Sequence, residues 1–264
     1  MLFRKKKPPT APAAYVDPDA TLPYGYEPPP PPIDEPGRPH GRGRRIAVRA
    51  AKVALKVLAA YYVLCVLLLV VYRFVQPPTT GVQLQRRVEA MIGGEEYTKK
   101  RDLVSSEEMS RHVARAVVAA EDGRFWTHGG FDWIEMDNAR KDAIERGRMR
   151  GASTLTQQLM KNLFGCACRN PIRKVYDYAL TPPAELILGK NRILELYLNN
   201  VEWGDGVFGI EAAAEHHYHT SAAKLTRTQS AGLAALLPNP LRRTPGNTAW
   251  YRREILRRMG RRGW

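Results

Sequence analysis

Cysteine is scarce: Cys65, Cys166 and Cys168 are the only three among 264 residues. That excludes a disulfide scaffold. Cys166 and Cys168 stand two apart, too close for a comfortable bridge to each other. No further ligands at metal spacing accompany them, so they are expected to be structural thiols. Acid is short relative to base, with 26 Asp+Glu against 41 Lys+Arg and a formal net charge of +15. This balance suits nucleic acid, an anionic membrane surface or a phosphorylated substrate, and the position of the charge decides among them. Alternating strand-type patterns are scarce too, which argues for a mainly α protein. The length suits one ordinary domain with appendages and leaves little room for a second large catalytic domain.

Hydrophobic periodicity is missing from residues 1–45, which hold Lys5, Lys6, Lys7 and most of the prolines; twelve of the 20 lie in residues 8–39. Such a stretch cannot bury enough apolar surface to offset its ordering entropy, and a disordered basic, Pro-rich tail is expected. Charge is absent from the 16 residues 57–72. Extended back through residues 53–55, with Lys56 snorkelling to the interface, the run is long enough to span a bilayer. Pro77 and Pro78 stop it. Residues 46–76 are therefore expected to be a transmembrane anchor. Arg42, Arg44, Arg45, Arg49, Lys52 and Lys56 precede the apolar run. The positive-inside rule keeps that end in the cytoplasm and puts the rest on the outer, periplasmic face of the cytoplasmic membrane. No small-x-small site follows the run, which argues against a cleaved signal peptide. An outward-facing domain also argues against nucleic acid and leaves membrane lipids as a partner.

Residues 77–264 carry 29 Lys+Arg and 21 Asp+Glu, a net of +8. Apolar spacing predicts helices over residues 112–120, with Ser110 as cap, and over 154–163, with Ser153 as cap and its free N–H groups open to an anion. Two shorter helices are predicted over 192–198 and 230–237. A last segment, 241–264, is set apart by Arg242, Arg243, Arg252, Arg253, Arg257, Arg258, Arg261 and Arg262, and is expected to lie on anionic lipid.

Three segments gather the chemistry. In the first, Glu121 and Asp122 end an apolar helix and are followed by Phe125, His128 and Gly130. An acid at a helix C-terminus is electrostatically unfavourable, so something else should hold Glu121 there. In the second, Arg150 and Gly151 lead into Ser153, Thr154, Gln157, Gln158, Lys161 and Asn162, which set neutral hydrogen-bonding groups beside a cation. In the third, Arg173 and Lys174 precede Asp177, and Arg173 and Asp177 are four apart on one helical face. Taken singly these are a solvated helix end, a capped polar face and a surface ion pair.

Together, in this order, they resemble the peptidoglycan glycosyltransferases, the family of monofunctional biosynthetic transglycosylases and of the amino-terminal domains of bifunctional penicillin-binding proteins. The motif E-D-x-x-F-x-x-H-x-G is matched from Glu121 to Gly130, and G-x-S-T-[IL]-T-Q-Q-x-x-K-N from Gly151 to Asn162. R-K-x-x-E is matched by Arg173 and Lys174, with Asp177 where the family has Glu. Two further motifs, around Glu195 and Trp203, extend the likeness over about residues 100–240. The single anchor looks most like the monofunctional type.

The resemblance implies a lysozyme-like glycosyltransferase domain over 77–240. It implies polymerisation of lipid II onto a growing lipid-linked glycan, with β-1,4 linkage and loss of the lipid pyrophosphate. Glu121 would be the base for the attacking 4-hydroxyl and Asp177 the second catalytic acid. Lys161, Arg173 and Lys174 would bind pyrophosphate. Asp122, Phe125, His128, Arg150, Ser153, Thr154, Gln157, Gln158 and Asn162 would complete the substrate site. Family members often use a divalent cation, Mg or Mn, at the pyrophosphate, and the sequence assigns it no ligands here. Other cell-wall synthesis proteins are implied partners. A lysozyme-like lytic enzyme and a weakly active scaffold that binds lipid II are the alternatives; the cations favour pyrophosphate chemistry over the first, and Asp177 alone supports the second. Ser221 and Lys224 fit S-x-x-K, but no Lys-Thr-Gly follows, so a transpeptidase is not expected. His216, His217 and His219 fit no standard metal spacing.

Overall fold

The computed structural model describes residues 41–147, 151–168 and 171–264. Most of the tail expected over residues 1–45 lies outside the described residues, as does Arg150. The described residues fall into two units, 41–53 and 54–264. The first is helical throughout.

Helix α1, Gly41–Tyr72, starts inside the stretch expected to be tail and ends short of the anchor's predicted end at residue 76. The 28 residues Arg45–Tyr72, whose apolar 18-residue stretch has a mean hydropathy of 2.5, are the one span among the described residues long and apolar enough to cross a membrane. The C-terminal half of α1 is fastened to the rest of the chain. Tyr61 donates to the carbonyl of Phe164 at 2.6 Å, and the rings of Tyr72 and Phe164 stack with centroids 6.2 Å apart. Arg192 donates to the carbonyls of Tyr72 and Val75 at 2.9 and 2.8 Å, a cation set on the unsatisfied end of α1.

The remaining helices are α2 (Gly81–Gly93), α3 (Arg111–Glu121), α4 (Trp133–Arg146), α5 (Leu155–Phe164), α6 (Pro171–Asn200), α7 (Ile210–Tyr218), α8 (Arg227–Ala234) and α9 (Ala249–Arg261). A small sheet of β1 (Lys100–Arg101), β2 (Glu202–Gly204) and β3 (Val207–Phe208) has the order β1-β3-β2, parallel then antiparallel. Gly206 makes the tight turn between β2 and β3 at φ +67, where an added Cβ would run into the carbonyl of Thr98.

α3 forms as its pattern predicts. Val113, Ala116 and Val117 fall on one face at 3.6-residue spacing and are buried, and Ser110 accepts from the His112 N–H at 3.4 Å. The cap of α5 differs from expectation by one residue. Thr154, not Ser153, is the N-cap: it accepts from the Gln157 N–H, and Gln157 returns its side-chain oxygen to the Thr154 N–H at 3.1 Å. The helix predicted over 192–198 is the end of the longer α6, which breaks at Gly189 (φ +73) and tolerates Pro182 and Pro183 in its first half. Pro183 leaves the Ala179 carbonyl without its helical donor, and Tyr62 of α1 supplies one at 3.3 Å.

The core joins α3, α5, α6, α7 and α8 around the fully buried Trp203, Tyr197, Phe125 and Phe208. The segment set apart at 241–264 is part of it. Ile255 and Met259 of α9 are completely buried, which fastens α9 to the domain. Cys166 and Cys168 are not the thiols expected. The loop leaving α5 brings their Cα atoms to 5.2 Å, within the span of a disulfide, and they are joined.

Candidate active site

Glu121 is the last residue of α3, and the structure answers what holds an acid there. Arg258 of α9 donates to the carbonyls of Ala119 and Ala120 at 3.3 and 3.4 Å, and Tyr251 donates to Ala120 at 3.2 Å. The exposed negative end of α3 is thereby neutralised from a helix 130 residues away in sequence. Gln158 of α5 donates to Glu121 Oε2 at 3.0 Å, and Tyr197 of α6 donates to Gln158 Oε1 at 2.9 Å. Burial pushes the Glu121 carboxyl above the ordinary carboxylate value; Gln158, then Lys161, Arg243 and Arg258, oppose it. A carboxylate raised in this way is suited to accept a proton near neutral pH.

Two cavities meet at Glu121. The smaller, about 320 Å³, is lined by Glu121, Ser153, Gln157, Gln158, Lys161, Arg173, Lys174, Asp177, Tyr178, Leu237 and Pro238. It therefore brings together eight of the residues singled out from sequence. Asp177 is buried and accepts from Arg173 Nη1 at 2.6 Å. Burial raises its carboxyl, against the pull of Arg173, Lys161 and Lys174. Burial lowers the Lys161 ammonium, and Arg173 lowers it further. Gln157 Nε2 is buried without an acceptor among the described residues, a donor ready for a ligand oxygen. Glu185 lines neither cavity; it is tied to Thr156 at 2.5 Å and to Lys190 at 2.8 Å. The larger cavity, about 1160 Å³, lies between the 119–124 and 151–154 segments and α9.

Several motif residues do a different job from the one implied. Phe125 is fully buried, 4.4 Å under the Lys190 ammonium, and lines neither cavity. His128 also lines neither. Its Nδ1 accepts from the Gly130 N–H at 3.1 Å, so its Nε2 carries the hydrogen donated to Asp122 at 2.9 Å. Asp122 also accepts from the Leu155 N–H at 3.0 Å, which locks the first motif onto the start of α5. Thr154 donates to the Gly130 carbonyl at 2.7 Å, a second such lock. With Asp122 on Leu155 and Thr154 on Gln157, two of the N–H groups at the start of α5 are engaged within the fold. Asn162 is buried away from both cavities.

Among the described residues no set of acids forms an all-protein cage for a divalent cation; Mg would need substrate phosphate oxygens beside one or two carboxylates. The smaller cavity holds Asp177 on Arg173 with Lys161 and Lys174 close enough to pull on its carboxyl. Asp122, His128 and Asp132 converge within 4.8 Å. There, however, Asp122 serves His128 and Leu155, while Asp132 serves the Glu135 N–H and Arg124.

A deeply set base beside a cavity ringed with cations defines a class: an enzyme that activates a hydroxyl and displaces an anionic leaving group. The comparisons with known proteins make it particular. The family described as transglycosylase matches residues 87–260. A biosynthetic peptidoglycan transglycosylase of Pseudomonas fluorescens (strain SBW25) is 45% identical over 186 residues, 70% of this chain and 78% of that protein. One of Brucella suis biovar 1 (strain 1330) is 42% identical over 217 residues, 81% and 92% of the two. One of Bacteroides thetaiotaomicron is 38% identical over 212 residues, 79% and 86%. The chain belongs to the transglycosylase family and is a peptidoglycan glycosyltransferase.

Proposed function

We propose that this chain polymerises lipid II, and one observation carries the reading: Glu121 stands where a cation-lined cavity and a larger open cavity meet. The lipid pyrophosphate of the growing strand sits in the smaller cavity with Lys161, Arg173 and Lys174. The 4-hydroxyl of the incoming lipid II gives its proton to Glu121, and its oxygen forms the new bond to the donor anomeric carbon. The bond from that carbon to the pyrophosphate oxygen breaks with inversion, and the electron pair leaves on the pyrophosphate. Negative charge grows on that leaving group, so cations placed beforehand lower the barrier. Arginine adds a two-pronged match to phosphate oxygens. α1 anchors the enzyme where a lipid-linked substrate is found. The basic residues before its apolar run put its N-terminus in the cytoplasm and the domain outside.

The test is polymerisation of labelled lipid II by the full chain in nanodiscs. The wild type yields polymer. Glu121→Gln yields none while still binding lipid II. Substantial polymer from that variant removes Glu121 as the base, and cleavage of finished glycan without polymer supports a lytic enzyme instead.

A further inference from the structure

The larger cavity is walled on one side by α9, whose Arg253, Arg257 and Arg261 all line it. Successive members are four residues apart, so the three guanidinium groups share one face of the helix. All three are exposed. Arg257 shares Glu254 at 2.7 Å, whereas Arg253 and Arg261 have no acidic partner among the described residues. Trp250, one turn earlier and 62% exposed, lines the same cavity with a flat apolar ring. The fastening of Ile255 and Met259 in the core holds α9 in place, and its arginine face shares the larger cavity with Glu121.

We propose that this arginine row binds the carboxylates of the peptide stems carried by the saccharide, on the opposite side of Glu121 from the pyrophosphate. The inference rests on the lipid II reading above. The guanidinium fork matches a carboxylate in two-pronged fashion, and a row of them suits a ligand with several carboxylates in sequence. A lipid surface is the other anionic candidate, and the position of α1 argues against it. α1 is fastened to Phe164 of α5 and Ala179 of α6, and Arg73 just past its end to Ile187 of α6; these helices supply Lys161, Arg173, Lys174 and Asp177 to the smaller cavity. No residue of α1, α5 beyond Thr154, or α6 lines the larger one. The lipid end of the substrate therefore belongs to the smaller cavity, and the water-borne sugar and peptide end to the larger.

The test compares Arg253→Gln/Arg257→Gln/Arg261→Gln with the matching triple Lys variant, each as the full chain in nanodiscs of neutral lipid. The substrates are lipid II with free stem-peptide carboxylates and lipid II with those carboxylates amidated. The wild type should prefer the free acid by about fivefold, the scale of a few solvent-screened charge pairs. The Gln triple should lose that preference, and the Lys triple, which keeps the charges without the fork, should keep only part of it. Equal wild-type rates on the two substrates overturn the inference, as does a Gln triple that slows both substrates alike. A defect that appears only with anionic lipid in the nanodisc, whichever substrate is used, assigns the row to the membrane and also overturns it. Polymer without preference sinks this inference alone; no wild-type polymer from either substrate sinks the lipid II reading as well.

Discussion

Gln158 reaches Glu121 with its amide N–H at 3.0 Å because Tyr197 holds the other end of the same amide, donating to Gln158 Oε1 at 2.9 Å. With the Tyr197 hydroxyl donating to the amide oxygen, the amide N–H₂ is left facing the carboxylate. The arrangement opposes part of what burial does to Glu121, and burial still wins.

On the proposed role of Glu121 as base, this relationship should set the acid limb of the pH–rate profile: the carboxylate accepts a proton only when ionised, so turnover should fall as pH drops through a value above that of an ordinary carboxylate. Gln158→Ala removes a hydrogen bond to the charged form and should move the limb to higher pH. Tyr197→Phe should move it the same way by less, because the amide is then free to turn. The loss of one hydrogen bond to a charged group corresponds to about one pH unit. Profiles of kcat/KM for the three proteins decide the matter; an unmoved limb in Gln158→Ala would show that this amide does not tune the base.

The same raised carboxyl makes a statement about stability. A group that holds its proton more tightly when folded stabilises the fold fully below its unfolded value, and that contribution is lost as pH rises through the folded value. At neutral pH Glu121 is thus a charge buried at a cost to stability. Glu121→Gln keeps the shape and drops the charge, so it should raise Tm at pH 8 and change little at pH 4. Thermal melts at both values check it, and an equal or lower Tm at pH 8 would show that Gln158, Lys161, Arg243 and Arg258 compensate the charge fully.

α3 and α5 were legible in sequence because each buries one periodic face and begins with a side-chain cap. The motifs located the cavity well: Ser153, Gln157, Gln158, Lys161, Arg173, Lys174 and Asp177 converge on Glu121. What the motifs could not reveal is which residues face a ligand and which hold the frame. Phe125, His128 and Asn162 lie in the same motifs, yet they pack or bond inward. α9 was hidden for another reason. Its arginines dominate its composition, and only Ile255 and Met259, four apart, signal a buried face. The contact from Arg258 to the end of α3 is long-range, and no local spacing encodes it.

Asp177 stands where the family motif has Glu, and its oxygen is held by Arg173 at 2.6 Å on one face of α6. The shorter side chain keeps the charge but stops about 1.5 Å sooner, the length of one carbon–carbon bond. Misplacement of about 1 Å can cost on the order of a hundredfold in rate. The i,i+4 pairing with Arg173 fits regular helix geometry, so the backbone has not moved to make up the reach. Asp177 lines the smaller cavity, so a longer acid at this position would extend toward it. Asp177→Glu should therefore raise turnover on lipid II by about tenfold, part of what full repositioning could return. Asp177→Asn keeps the shape, leaves Arg173 without its anion and should lower turnover by about a hundredfold or more. Single-turnover polymerisation with the two variants separates the cases. A fall in Asp177→Glu would mean that the site is built around the shorter acid, and wild-type turnover in Asp177→Asn would show that the carboxylate takes no part in the reaction.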